Sequence, residues 1–180
     1  NDIFTNCFIV SIYLLGFFSD RKILNSPKKR FLIQCFLILL FVAIFDVKIN
    51  SSRIELFDVI LNNKFFAIFF STFCLLILIN GSNFIDGLNG ILISSIIIIL
   101  FMLTRLNLID NSIISDQSIN LIMLILLLLL LLNIFNVLML GDSGAYLLGF
   151  FIGFLIISSH RSNPDISPYF FISLIWYPCF

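Results

Sequence analysis

Asn80-Gly81-Ser82-Asn83-Phe84-Ile85-Asp86-Gly87-Leu88-Asn89-Gly90 is the stretch whose reading decides the fold. It sets one carboxylate and three asparagines between two uncharged apolar runs, 65–79 (FFAIFFSTFCLLILI) and 91–103 (ILISSIIIILFML). Polar groups beside hydrocarbon are costly, and where they are kept they mark function. Asn83, Asp86 and Asn89 recur every three residues. On a helix they would share one side and face a polar cavity. In an interfacial loop they would instead cap the two flanking helices.

The rest of the chain agrees with a membrane setting. Of 180 residues, 61% are apolar and 11% charged, against about 25% charged in a soluble domain. The net charge is zero, which argues against a nucleic-acid partner. Cys7, Cys35, Cys74 and Cys179 show no metal-binding spacing and read as reduced, small apolar residues. Seven apolar segments follow one another: 3–18, 31–45, 65–79, 88–106, 121–140, 145–158 and 168 onward. The polar–apolar alternation of barrel strands is missing, so the expectation is all-α. It is a polytopic membrane helix bundle with about seven transmembrane segments. Several segments fall short of the roughly 20 residues of a full span. Either helices extend into the polar motifs or the membrane is thin. The chain starts at Asn1 and its last run stops at Phe180, so residues 1–180 read as one transmembrane domain truncated at both ends.

Six connections join the segments. The first, 19–30 (SDRKILNSPKKR), holds five of the ten basic residues: Arg21, Lys22, Lys28, Lys29 and Arg30. The positive-inside rule places it in the cytoplasm, although over the whole chain the bases divide five to each side. With alternating helices, connections one, three and five share that side, and with it Asp20, Asp86 and Asp142. The second connection, 46–64, alternates polar and apolar residues (VKINSSRIELF) and suggests a short surface hairpin.

The fifth connection is the turn at Gly141-Asp142-Ser143-Gly144, ahead of an apolar helix. Free N–H groups at a helix start can hold a phosphate oxygen, and a carboxylate can hold a divalent cation. Asp142 could equally serve as a plain helix cap. Asp20 could bind metal, with Lys28 and Arg30 binding phosphates, or the whole loop could be solvated charge. Gly149 and Gly153 have the spacing of a helix-packing motif. His160, the only histidine, reads as a surface residue on the opposite side. No Ser/His/Asp arrangement, P-loop or dinucleotide fingerprint is present.

The three motifs, in this order, resemble those of the polyprenyl-phosphate N-acetylhexosamine-1-phosphate transferases. That family includes the bacterial GlcNAc-1-phosphate transferases and the phospho-MurNAc-pentapeptide translocase. NGSNFIDGLNG resembles its Asn-x-x-Asn-Phe-x-Asp-Gly-x-Asp-Gly block, and LGDSGAYLLGF its Gly-Asp-x-Gly-Ser-x-x-Leu-Gly-Phe block. GFFSDRKILNSPKKRFLIQ resembles its Asp-Asp loop, followed by Ser-Pro-Lys-x-Arg and an early Gln, here Gln34. Three positions depart from the pattern: Ser19 for the first paired Asp, Asn89 for the second Asp of the central block, and Ala145 for a Ser. The family's histidine-rich loop would follow Phe180, so the chain resembles the central piece of a longer enzyme.

The resemblance implies transfer of a sugar 1-phosphate from a UDP-sugar, expected to be a UDP-N-acetylhexosamine, to a polyprenyl phosphate. UMP is released, and the product serves cell-wall or surface-polysaccharide synthesis. It implies Mg²⁺, with Mn²⁺ as the substitute, held by Asp142 and Asp20. Asp20, Asp86 and Asp142 become the catalytic set. Asp86 and Asn83 would position substrate or move a proton, Lys28 and Arg30 would hold phosphates, and Asn80 and Asn89 would contact substrate. The partners are the polyprenyl phosphate, the UDP-sugar and the membrane, with no nucleic acid and with homodimerisation left open. The location is the bacterial inner (cytoplasmic) membrane, multi-pass. Two alternatives remain: a transporter segment with acids along an ion path, and an inactive homologue, motivated by Ser19.

Overall fold

A computed structural model describes residues 2–87, 90–110 and 114–176. Eight α-helices follow in order: α1 (Asp2–Asp20), α2 (Pro27–Phe45), α3 (Glu55–Leu61), α4 (Lys64–Ile85), α5 (Ile91–Arg105), α6 (Asp116–Ile134), α7 (Gly141–Ser162) and α8 (Pro168–Trp176). No strand occurs among the described residues. Among the described residues three helices, α4, α6 and α7, are long and apolar enough to cross a membrane, fewer than the seven expected. At 1.5 Å per residue, the 15 residues of α5 reach only about 22 Å against a hydrocarbon core of about 30 Å. The first turn of the 19-residue α2, Pro27 to Arg30, carries Lys28, Lys29 and Arg30, which shortens its apolar length. Length is regained where helices run into the polar motifs. α4 continues past Ile79 to Ile85, and α7 begins at Gly141.

The chain forms two compact units, one of residues 1–84 and 140–154, the other of residues 85–139 and 155–180. In the first, Phe41 is buried and touches rings from three helices. Phe8 of α1 lies 5.6 Å away, Phe45 of α2 4.9 Å, and Phe150 and Phe154 of α7 4.9 and 5.6 Å. Aromatic pairs at these separations add to simple area burial. α7 then lies close against α4. A Cβ on Gly149 would come within 2.7 Å of Ser82 Oγ and 2.9 Å of the Ile79 Cα, and one on Gly153 within 2.7 Å of Leu75. The packing role expected for these two glycines is what the structure shows. Gly16 does the same for α1, where a Cβ would run into the Ser143 backbone.

The hairpin expected over 46–64 is replaced by α3, and the reason is Asp58. Its carboxylate accepts from Ser52 N at 2.6 Å, Ser52 Oγ at 2.7 Å, Ser51 Oγ at 2.8 Å and Arg53 N at 3.1 Å. Backbone donors that a strand ladder would need are thereby taken by one side chain. Phe57 of α3 packs edge-on against Phe66 and Phe70 of α4. Ile49 N donates to the buried Ser71 Oγ of α4 at 2.8 Å. The polar–apolar alternation therefore marks a loop tied down at both ends rather than a strand.

In the second unit α5 packs on α6. α6 starts on Ser115, whose side chain accepts from Ser118 N. Only 17% of its apolar window is buried, against 61% for α7, so α6 presents most of its leucines outward, as a lipid-facing helix does. Ser162 donates to Asp110 at 3.1 Å and Asn163 Nδ2 to Leu108 O at 2.9 Å. His160 is only partly exposed and packs its ring on Phe171, centroids 5.6 Å apart, which corrects its reading as a surface residue. Cys7, Cys35 and Cys74 are free thiols; Cys179 lies outside the described residues.

Two outcomes test this packing. Gly149→Ala should destabilise the protein by about 1–3 kcal/mol through overpacking. Gly81→Ala, where a Cβ meets nothing within 4 Å, should stabilise it by up to about 1 kcal/mol. Thermal unfolding in detergent reads both, and equal shifts would contradict the α4–α7 contact. The Asp58 carboxyl is held below its usual value of 3.8, chiefly by the Ser52 backbone N–H. A depressed folded pKa supplies order above the unfolded value, and that order is lost as pH falls through the folded one. Amide exchange at Ser52 and Arg53, normalised for its intrinsic pH dependence, should therefore lose protection below about pH 4. Flat protection down to pH 2 would refute it.

Candidate active site

α1 ends where Lys22 turns to positive φ and the N–H groups of Ile23 and Leu24 return to Phe18 O. This leaves Asp20 on the last turn of α1. α2 starts on Ser26 with Pro27 in its first turn, so Arg30 stands one turn inside. α7 starts at Gly141, whose φ of +67° suits glycine, and a Cβ there would meet the Asp20 carboxylate at 2.9 Å. Three helix ends are thereby brought to one place.

The Asp20 carboxylate caps α7 from outside it. Oδ1 accepts from Asp142 N at 2.8 Å and Oδ2 from Ser143 N at 3.0 Å. Two of the free N–H groups of the helix start are satisfied, and the negative charge lies at the positive end of the helix dipole. Asp142 is thus released from the plain capping role that the sequence left open. Its Oδ2 instead receives Arg30 Nη1 at 2.7 Å, in an ion pair about a quarter exposed. Ser19 donates its hydroxyl to the same oxygen, and Arg30 Nη1 also donates to Ser19 Oγ.

One turn deeper is a second polar layer. Gln34 of α2, 2% exposed, accepts at Oε1 from Asn80 Nδ2 of α4 at 3.2 Å, and Asn80 also donates to Leu76 O at 2.8 Å. Tyr146 of α7, 3% exposed, lies within electrostatic reach of Gln34, Arg30, Asp142 and Asp20. Tyr146 was not singled out from the sequence. Its spacing of four from Asp142 puts both on one helix face, which is the signal that would have found it.

Asp20, Asp142 and Arg30 form one cluster, and Asn80 belongs to the layer beneath it. Asn83 sits on the last turn of α4, partly buried. Asp86 occupies the turn just past α4 and belongs to the second unit. Because α4 ends at Ile85, Asn83 and Asp86 do not continue one helical stripe. Asn89 lies outside the described residues. Lys28 is exposed on the first turn of α2 and makes no ion pair among the described residues.

Among the described residues no group of three or more His, Cys, Asp or Glu side chains is arranged to hold a metal ion. Mg²⁺ needs less than that from protein, since it is commonly bound by one or two carboxylates together with substrate phosphates and water. Asp142 and Asp20, joined at the start of α7 and partly open, fit that donor set; they do not make a self-sufficient cage.

The membrane-length helix α7 and the ends of α1 and α2 thus bring two carboxylates and a guanidinium together at one point. The family model for glycosyl transferase family 4 matches residues 3–160, and the chain belongs to that family. The family carries out sugar-phosphate transfer to a lipid carrier. No curated protein and no solved structure matches the chain significantly.

Asp20→Ala should free the N–H groups of Asp142 and Ser143, costing about 1 kcal/mol of local stability. Asp20→Asn, which keeps one acceptor oxygen, should cost less. Hydrogen exchange at these two amides is the readout, and unchanged exchange in Asp20→Ala would remove the capping role.

Proposed function

We propose that this protein transfers a sugar 1-phosphate from a UDP-N-acetylhexosamine to a polyprenyl phosphate at the cytoplasmic face of a bacterial inner membrane. In this reaction a phosphate oxygen of the lipid attacks the β-phosphorus of the nucleotide sugar. The bond from that phosphorus to the bridging oxygen breaks, and UMP leaves with that oxygen. A lipid-linked sugar pyrophosphate is the product, suited to cell-wall or surface-polysaccharide assembly. The single observation that carries this reading is the cluster of Asp142, Arg30, Ser19 and Asp20 at the start of α7, in a chain that belongs to glycosyl transferase family 4.

The chemistry is one of charge. Both substrates are anionic, and transfer needs positive groups where the pentavalent phosphorus gathers negative charge. Bound Mg²⁺ would supply Lewis-acid stabilisation of the phosphate oxygens, with Asp142 and Asp20 as its protein ligands. Arg30, and Lys28 beside it on α2, offer cations to the phosphates. Asp86 and Asn83 are assigned to substrate positioning or proton transfer, and Asn80 and Asn89 to substrate contact. A multi-pass arrangement of the apolar helices, shorter ones included, lets a lipid reach the site sideways and a nucleotide from water.

Asp142→Asn is the sharpest test. It removes a charge at constant size, while Asp20 still caps α7. In the intact protein, Mg²⁺-dependent UMP release from UDP-N-acetylhexosamine with undecaprenyl phosphate should fall by roughly 10²-fold or more, with helicity and monodispersity retained. Near-normal turnover would refute the assignment.

A further inference from the structure

Arg30 is held in a geometry that leaves part of it unsatisfied. Its Nη1 serves Asp142 and Ser19, but its Nε is buried with no hydrogen-bond partner. Gln34 stands one turn further along α2, on the same helix face. Its Nε2 is also buried, with no partner inside normal hydrogen-bond limits; the Tyr146 hydroxyl is the one acceptor it faces, at longer range. Arg30 Nε has no acceptor and Gln34 Nε2 only a weak one, and buried donors left in that state are costly. Set one turn apart beside an ion pair, they form a place that a further oxyanion would complete.

The charge balance of the cluster has the same sense. The N–H groups of α7 offset the charge of Asp20. Ser19 is neutral, and Arg30 cancels Asp142. The oxygen that Arg30 holds, Asp142 Oδ2, belongs to the carboxylate assigned above to the divalent cation. A guanidinium and a divalent cation cannot both sit against that oxygen without strong mutual repulsion.

We propose that Arg30 is an exchangeable counter-ion. It neutralises Asp142 until a phosphate arrives, then shifts its guanidinium onto the phosphate oxygens and yields Asp142 to the divalent cation. Arg30 Nε and Gln34 Nε2 supply the further donors to that phosphate. The inference rests on the proposed function, and no bond is made or broken in the exchange. The ligand chemistry is a phosphate monoester or diphosphate oxyanion, which either the lipid or the nucleotide can present. Linkage then requires that phosphate and divalent cation tighten each other by the same factor.

Mn²⁺ binding to the intact protein in nanodiscs, read from the EPR signal of the free ion, tests this directly. It is measured alone, with UMP, and with a short-chain polyprenyl phosphate; whichever ligand tightens the metal identifies the source of the oxyanion. For the wild-type protein one of them should tighten Mn²⁺ about tenfold, within the usual span of coupling between sites. Arg30→Gln should bind Mn²⁺ alone about tenfold more tightly than wild type and keep less than about twofold enhancement by phosphate. Arg30→Lys keeps a cation but not Nε, so it should retain weak binding of the metal alone and lose most of the enhancement. Gln34→Leu should leave binding of the metal alone unchanged and reduce the enhancement several-fold.

A folded Arg30→Gln protein that binds Mn²⁺ no more tightly than wild type overturns the proposal. If that variant does not fold, Arg30→Lys and Gln34→Leu decide, and wild-type enhancement in both overturns it. Coupling that Asp142→Asn abolishes but the Arg30 and Gln34 variants leave intact would sink this inference alone. Mn²⁺ binding undiminished in Asp142→Asn, or absent from wild type with every ligand, would sink the metal assignment of the proposed function and this inference with it.

Discussion

The site depends on the Asp20 carboxylate set against the start of α7. That contact satisfies two backbone donors of a helix whose apolar length is largely buried. Without it the two N–H groups would need water or another side chain. The geometry around it leaves little slack. Gly141 leaves room for the carboxylate, and Gly16 lets α1 approach the α7 backbone closely. Small residues at these two points let a charged side chain from one helix complete the end of another.

A division of labour between the two acids follows. Asp20 accepts from the α7 backbone and Asp142 from Arg30, and in the proposed reaction both also face the cation. Two carboxylates that look equivalent in a motif differ because only one of them faces free N–H groups. Ser19 adds a hydroxyl rather than a third charge, which lowers the repulsion the cluster must tolerate. Gln34, Asn80 and Tyr146 lie one turn deeper. There the amide pair ties α2 to α4, and the phenol brings α7 into the same polar layer.

Helix length divides along similar lines. α4 and α7 reach membrane length by running into the polar blocks, so Asn80 and Asn83 on α4 and Asp142 on α7 stand on a regular backbone. Side chains held on helices keep their geometry better than side chains on mobile loops. The region before α4 shows the opposite choice. There Asp58 gathers the 51–53 backbone to itself, and a loop with the alternation of a strand never forms one.

Much of this was legible in the sequence. Apolar runs of near-span length fixed the all-helical class, because an exposed backbone in hydrocarbon must bond within its own segment. The motifs at 19–34, 80–90 and 141–150 marked Asp20, Arg30, Asn80 and Asp142, and the spacing of Gly149 and Gly153 announced a close helix contact. What only the tertiary structure decided was who partners whom. Asp20 meets residues 142 and 143, Arg30 meets Asp142, Gln34 meets Asn80, and Tyr146 joins them. The helix α3 in place of a hairpin belongs to the same category. Periodicity reports which residues share a face of one element, whereas a hydrogen bond across more than a hundred residues depends on how helix ends are brought together, and that is set by packing at Gly16, Phe41 and Gly149.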